Sequence, residues 1–376
     1  RAAAKNFRDV LVVTDAGDYE EVLLRLREGR NDISYREQMA AKAFRYTAYY
    51  DALISEYFNH KLSISAPEYL SLSYRLGTSL RYGENPHQNA AFYEKVYEEN
   101  GAEWKQLHGK ELSYNNYTDM YNAVRFVKEF SEPAVVGTKH NNPAGIGIGE
   151  NIDEAFDKAY ACDATSLFGG IFALNRPVTK HIAEVLHSFF MEIVIAPAYE
   201  EEALSILEEK KNLRVIVMPN LASFTLPKKT VKEVLGGILV QDYDNADLTE
   251  EMEVVSKRKP TEEEMRDLRF GFKAVKMVAS NGAVLVKDGA TLGIGQGQVR
   301  RTWAVEDALS HGEGKHSGAV LASDGFFFAD TVELLQKHGI RAAIQPGGSV
   351  KDPEVIDLCD QYGIALVMTH IRHFRH

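Results

Sequence analysis

The chain has 376 residues, 45% of them hydrophobic, which is enough for two or three domains rather than one small core. Lys plus Arg number 43 and Asp plus Glu 54, so the formal net charge is -11. This excludes a general nucleic-acid binder but leaves room for a local basic pocket that takes an anion. Cys162 and Cys359 are too few for a metal cluster or a disulfide framework and fit a reducing compartment. No apolar run approaches the ~18 residues of a membrane span.

The chain opens on Arg1 with no signal-peptide pattern, which reads as a start inside a longer protein. Residues 1–68 read as the tail of one unit. Asp9 to Val13 is a predicted strand, and Asp18 to Glu28 a helix stopped by Gly29. Ser34 with Glu37 has the spacing of a capping box, and apolar residues from Ala40 to Phe58 then follow at helical spacing. A connector around Asn59 to Tyr69 leads into a larger unit, 69–376.

There helix alternates with strand. Predicted helices cover Thr118 to Phe130, the stretch capped by Asn151 and Glu154, Thr179 to Phe190, Glu200 to Lys210, the stretch opened by Thr261 and Glu264, and Asp330 to His338. Predicted strands are Ala134 to Val136, Ile193 to Ala196, Leu213 to Met218, Ala283 to Val286, Leu292 to Ile294, Ala319 to Ala322, Ala342 to Ile344 and Ala365 to Met368. This alternation implies an α/β protein. The charged stretch 227–260 reads as a joint between two sub-domains. The glycine-rich strand ends at 145–149 and 293–297 hint at a loose internal duplication.

Chemistry concentrates in a few stretches. In GTKHNNPAG, Lys139 and His140 stand at the tip of a strand. An imidazole can move a proton near neutral pH and an ammonium can steady an oxyanion, although the same pair also suits a solvated turn. LRYGENPHQ groups Arg81, Tyr82 and His87 around Gly83 and Pro86, as a phosphate contact or as a polar turn. In LSYNNYTD, Asn115 and Asn116 either cap a helix or read a ligand's amide edge. CDATSLFGG offers Asp163 and Ser166 beside two glycines. Glycines 293, 295 and 297 do not make a dinucleotide fingerprint, because Gln298 stands where it needs glycine. Arg300 and Arg301 are either phosphate ligands or a solvated pair. SDGFFFAD sets three phenylalanines between Asp324 and Asp330, as core or as a flat-ring pocket. Zinc is not expected: His311 and Glu313 form H-x-E with no P-C-x-x-C to complete it. There is no G-x-S-x-G and no P-loop.

Taken in order from Leu80 to His376, LRYGENPHQ, LSYNNYTD, GTKHNNPAG, CDATSLFGG, ASNGAVLVKDG, GIGQGQ, SDGFF and the terminal RHFRH resemble the formyltransferase part of the bifunctional AICAR transformylase/IMP cyclohydrolase family. The first segment, from RAAAKN, resembles the end of that family's cyclohydrolase domain, whose larger part is absent. The resemblance implies two cytidine-deaminase-like α/β/α sub-domains without zinc, preceded by the remnant of a second α/β domain. It further implies a cytoplasmic homodimer with active sites at the subunit interface. The expected reaction moves a formyl group from 10-formyltetrahydrofolate, the co-substrate, to the amino group of AICAR, giving FAICAR.

On this resemblance Lys139 supports the formyl oxygen and His140 is the general base. Arg81, Tyr82, Asn116, Asp163, Asn281, Arg301, Phe326, Arg372 and His376 line the substrate pocket, and Asp330 lies near the pterin. Lys5 matches a functional lysine of the cyclohydrolase domain. A structural monovalent cation is compatible with the family, whereas nucleic acid and membrane are not expected partners. Ring closure by this chain is doubtful. A contrasting reading is a non-catalytic module that binds a purine ribonucleotide. A third, a zinc deaminase of the same broad fold, is opposed by the two distant cysteines.

Overall fold

The computed structural model describes residues 1–95, 100–246 and 252–376. The chain forms two compact units. The first is Arg1–Ser79 together with the strand that follows residue 90. The second is Leu80–Ala90 and the chain from residue 100 onward.

The first unit contains α1 (Ala2–Lys5), α2 (Tyr19–Arg27) and α3 (Ile33–Lys61), with β1 (Arg75–Leu80) paired to β2 (Ala90–Glu94). The N-cap of α3 is Asp32, whose carboxylate accepts from Tyr35 N at 2.8 Å. Ser34, the residue favoured by spacing, already lies inside the helix. Asp32 wins because it stands immediately before Ile33, where the orphan N–H groups begin. The expected strand Asp9–Val13 is not one. Val10 N turns back onto Asn6 O at 2.9 Å, and among the described residues no strand pairs with the segment. Its side chains still alternate. Val12 packs with Ala4, Ala40 and Ala43, while Leu11 and Val13 pack with Val22, Tyr35 and Met39. The missing ladder partner is what separates this segment from a strand.

The second unit is built on a twelve-stranded sheet. Its first half runs β3 (Lys105–His108), α4 (Tyr114–Val127), β4 (Ala134–Lys139), β5 (Asn142–Ile148), α5 (Ile152–Cys162), β6 (Ile171–Leu174), α6 (Lys180–His187), β7 (Ile193–Ala196), α7 (Glu201–Glu208) and β8 (Arg214–Val217). The charged stretch that follows carries an exposed hairpin, β9 (Lys229–Val234) with β10 (Gly237–Asp242), and then β11 (Glu253–Val254). The second half is α8 (Glu262–Val275), β12 (Ala283–Lys287), β13 (Ala290–Gly295), α9 (Arg301–His311), β14 (Val320–Ser323), α10 (Ala329–Lys337), β15 (Ala342–Gln345), α11 (Asp352–Tyr362) and β16 (Ala365–Met368).

Read outward from the seam between β5 and β13, the sheet is the same in both directions. One side runs β5, β4, β6, β7, β8, β3, and the other runs β13, β12, β14, β15, β16, β11. In each, the first three strands are antiparallel to their neighbours, the next pairings are parallel, and the edge strand is antiparallel again. The hinted duplication is thus present strand by strand.

Alternation along the strands divides the core. Ala134 and Val136 face the layer of α4 and α8, together with Val284 and Val286. Val135 and Phe172 face α5, α6 and α7. Leu285 and Leu321 face α9, α10 and α11. The glycine-rich strand ends let helices approach. A Cβ on Gly145 would stand 2.0 Å from Ala159 O in α5, and one on Gly293 would stand 2.1 Å from Ala308 O in α9. No helix among the described residues is long and apolar enough to cross a membrane.

Candidate active site

Because β5 and β13 run antiparallel across the seam, the start of β5 lies beside the end of β13. The end of β4, the start of β12 and the end of β14 come to that same edge of the sheet. Nearly all the chemistry-bearing stretches after residue 130 therefore converge there.

β4 and β5 are joined by a two-residue loop, His140–Asn141, with Lys139 paired to Asn142. Both loop residues have positive φ, 52° and 64°, the pattern of a type I′ hairpin loop. The equivalent loop of the second half, between β12 and β13, is Asp288–Gly289, with φ of 53° and 68°. Asp-Gly is what such a turn prefers. His-Asn differs chiefly at the second position, where Gly289 takes its positive φ without steric cost and Asn141 does so as a non-glycine residue. In each half a carboxylate on the preceding helix braces the loop. Asp119 accepts from Asn141 N at 2.7 Å, and Asp267 accepts from Asp288 N and Gly289 N, both at 2.8 Å. Burial pushes both carboxyls above the usual range, and these backbone N–H groups offset part of it. The strand-end lysines correspond as well: Lys139 Nζ donates to Phe168 O at 2.8 Å, and Lys287 Nζ to Ser317 O at 3.0 Å.

Lys139 and the exposed His140 line a cavity of about 250 Å³ with Asp163, Ser166, Gln296 and His311. One Asp163 oxygen accepts from Ser166 N at 2.8 Å, closing the turn after α5. Cys162 also lines the cavity. Burial pushes its thiol up to about 11, so it stays protonated and is no nucleophile.

A second cavity, about 380 Å³, is lined by Asn281, Arg301, Phe326, Phe328, Asp330 and Phe374, among others. The three phenylalanines divide: Phe327 is fully buried in the core, while Phe326 and Phe328 meet edge to face at 5.4 Å beside the cavity. Arg301 is not a free cation. Its guanidinium donates to Asp324, to Ser323 Oγ at 2.8 Å and to Asn281 Oδ1 at 2.5 Å, and it packs beneath Gly325. Arg300 pairs with Asp330 at 2.9 Å, leaving the buried Asp330 Oδ1 without a partner. Arg372 lies over the Phe374 ring at 4.2 Å, and the His376 ring meets it at 5.8 Å, so the tail reaches this cavity through Phe374.

Three expectations sit elsewhere. Asn116 is spent on its helix: it forms the capping box of α4 with Ser113, which is the local reading of that residue. Arg81 and Tyr82 line neither cavity. They pair with each other, with Nη2 donating to the phenol oxygen at 2.8 Å and the guanidinium 4.6 Å over the ring. Lys5 is exposed on α1 of the first unit. Sequence reasoning misses Asp119 and Asn122 and weighs His311 only as part of an incomplete zinc motif. The first two stand three apart on α4 and therefore share a face, a signal available without the fold.

A family profile described as "AICARFT/IMPCHase bienzyme" matches residues 3–311. A bifunctional purine biosynthesis protein PurH from Oceanobacillus iheyensis is 50% identical over 380 residues, an alignment covering all of this chain and 74% of that protein. Proteins of the same name from Clostridium acetobutylicum and Bacillus subtilis are 50% and 46% identical, with the same coverage.

Proposed function

The chain belongs to the AICARFT/IMPCHase bienzyme family, and from that premise we propose that, within purine biosynthesis, it transfers the formyl group of 10-formyltetrahydrofolate to the amino group of AICAR. The observation that carries this reading is the His140 loop: an imidazole held at the tip of a two-residue hairpin loop, beside Lys139 and a cavity.

The chemistry follows from those groups. An amine conjugated to a carboxamide is a weak nucleophile, so His140 takes its proton as the nitrogen attacks the formyl carbon. The oxyanion that forms is steadied by Lys139. An ammonium has three donors, so it can serve that oxygen while still holding Phe168 O. The intermediate collapses by breaking the bond from carbon to the folate nitrogen, which takes up a proton, and FAICAR and tetrahydrofolate leave. Much of the acceleration is assigned to juxtaposing two large substrates.

The second cavity suits the pterin, with Phe326 and Phe328 offering ring faces and the Asp330 carboxylate accepting a ring N–H. A homodimer in which a second subunit completes the site is part of this reading. Arg81 and Tyr82 are assigned to the nucleotide in that assembly. The first unit, with Lys5, is assigned to the cyclohydrolase side of the family, and ring closure is not proposed for this chain.

The test is to mix protein, AICAR and 10-formyltetrahydrofolate and follow tetrahydrofolate. Product that requires both substrates is expected, with turnover falling about 10²-fold or more in His140→Ala while AICAR still binds. Tight AICAR binding with no product from the unaltered chain would favour a nucleotide-binding module instead.

A further inference from the structure

We propose that Arg375 is the positioning residue that fixes the His140 loop for proton transfer. The inference rests on the formyltransferase reading of that loop.

The two halves give the argument. In the second half the loop carbonyl Gly289 O is held by the neighbouring strand, accepting from Ile148 N at 2.9 Å. The equivalent carbonyl of the first half is Asn141 O, at the second position of the β4–β5 loop. There Arg375 Nη2 takes the strand's place and donates to Asn141 O at 3.0 Å. The same nitrogen reaches Asn122 Oδ1 on α4 at 3.2 Å, and Nη1 donates to Met277 O at 2.7 Å. Asp119 holds Asn141 N from the other side. Both peptide groups of the residue after His140 are thus gripped, one by a carboxylate and one by a guanidinium.

The clamp itself is anchored. Arg375 N donates to Ser280 Oγ, and Ser280 N donates to Arg375 O, both at 3.0 Å. The guanidinium packs 5.1 Å over the Phe126 ring. Burial pushes its pKa down to about 10, so it remains a cation at neutral pH. Lysine at this position could not span three acceptors in one plane, because its ammonium is a point charge and the guanidinium a fork.

The experiment compares wild type with Arg375→Met, which keeps the stem over Phe126 and removes the donors, and with Arg375→Lys. In the formyl-transfer assay kcat of Arg375→Met should fall about tenfold to a hundredfold, with both KM values within about twofold, as expected when a base is displaced and binding is kept. Millimolar guanidinium should restore part of the loss, and Arg375→Lys should fall between the two. A role in folding alone would lower the unfolding temperature and leave kcat and rescue unchanged, which would overturn the proposal. Should Arg375→Met not fold, the kcat of Arg375→Lys decides alone. A wild type that transfers no formyl group indicts the functional reading rather than the clamp. The clamp is then judged by NMR: the His140 ring and Asn141 amide signals should move in the variant, and unmoved signals would overturn it.

Discussion

His140 and Asp288 occupy the same place in two copies of one hairpin, and only His140 brings an imidazole to it. Two substitutions should therefore separate folding from chemistry. His140→Asn replaces the imidazole with a side chain that tolerates positive φ. Its stability in urea should stay within about 0.5 kcal/mol of wild type, while formyl transfer falls about 10²-fold or more. Gly289→Ala does the reverse. With φ at 68° and a new Cβ 2.8 Å from Ile148 Cγ1, it should lose about 1–2 kcal/mol and keep its turnover, being at the far edge of the sheet. A His140→Asn variant with normal turnover would dismiss the imidazole as base.

At the scale of elements, the close seating of α5 and α9 depends on bare backbone at Gly145 and Gly293. Adding one methyl at either places carbon against a helix carbonyl, so Gly145→Ala and Gly293→Ala should each cost about 1–3 kcal/mol in urea unfolding. Equal stability to wild type would mean the helices can withdraw freely. What was legible in sequence follows from how local each signal is. Thr261 with Glu264, and Asn151 ahead of Glu154, cap helices where expected, because a cap needs only its own turn. Ile193–Ala196 and Ala365–Met368 are strands as read, since a short apolar run buried on both faces has few alternatives. The β9–β10 hairpin was read as a charged joint: its lysines and glutamate mask strand alternation in an element exposed on both faces. At the site, the Lys139–His140 pair could be read from adjacency alone. The commitment of Arg301 to Asp324 and the reach of Arg375 to Asn141 join residues distant in sequence, and no spacing rule reports them.

For the second unit as a whole, the seam is the place to test whether two halves fold as one. Thr291, fully buried in β13, accepts from Ile146 N at 2.9 Å and donates to Ile146 O at 3.3 Å across it. Thr291→Val keeps the shape and strands a buried N–H, so it should cost about 1–3 kcal/mol. If the halves are one cooperative unit, the loss should appear as a shifted single transition. If they unfold separately, a second transition should emerge in the same urea curve.

A chain that writes one plan twice also serves as its own control experiment. Where the halves agree, geometry alone explains the choice. Lys139 and Lys287 both tie a strand end to the loop ahead of the next strand, so any protein with this topology has reason to keep a lysine there, whatever it catalyses. Carrying both halves in one chain lets them differ: in a symmetric pair of separate half-length chains, every residue would stand at both edges. Here one edge carries the His140–Asn141 loop beside a cavity, and the opposite edge carries Asp288–Gly289.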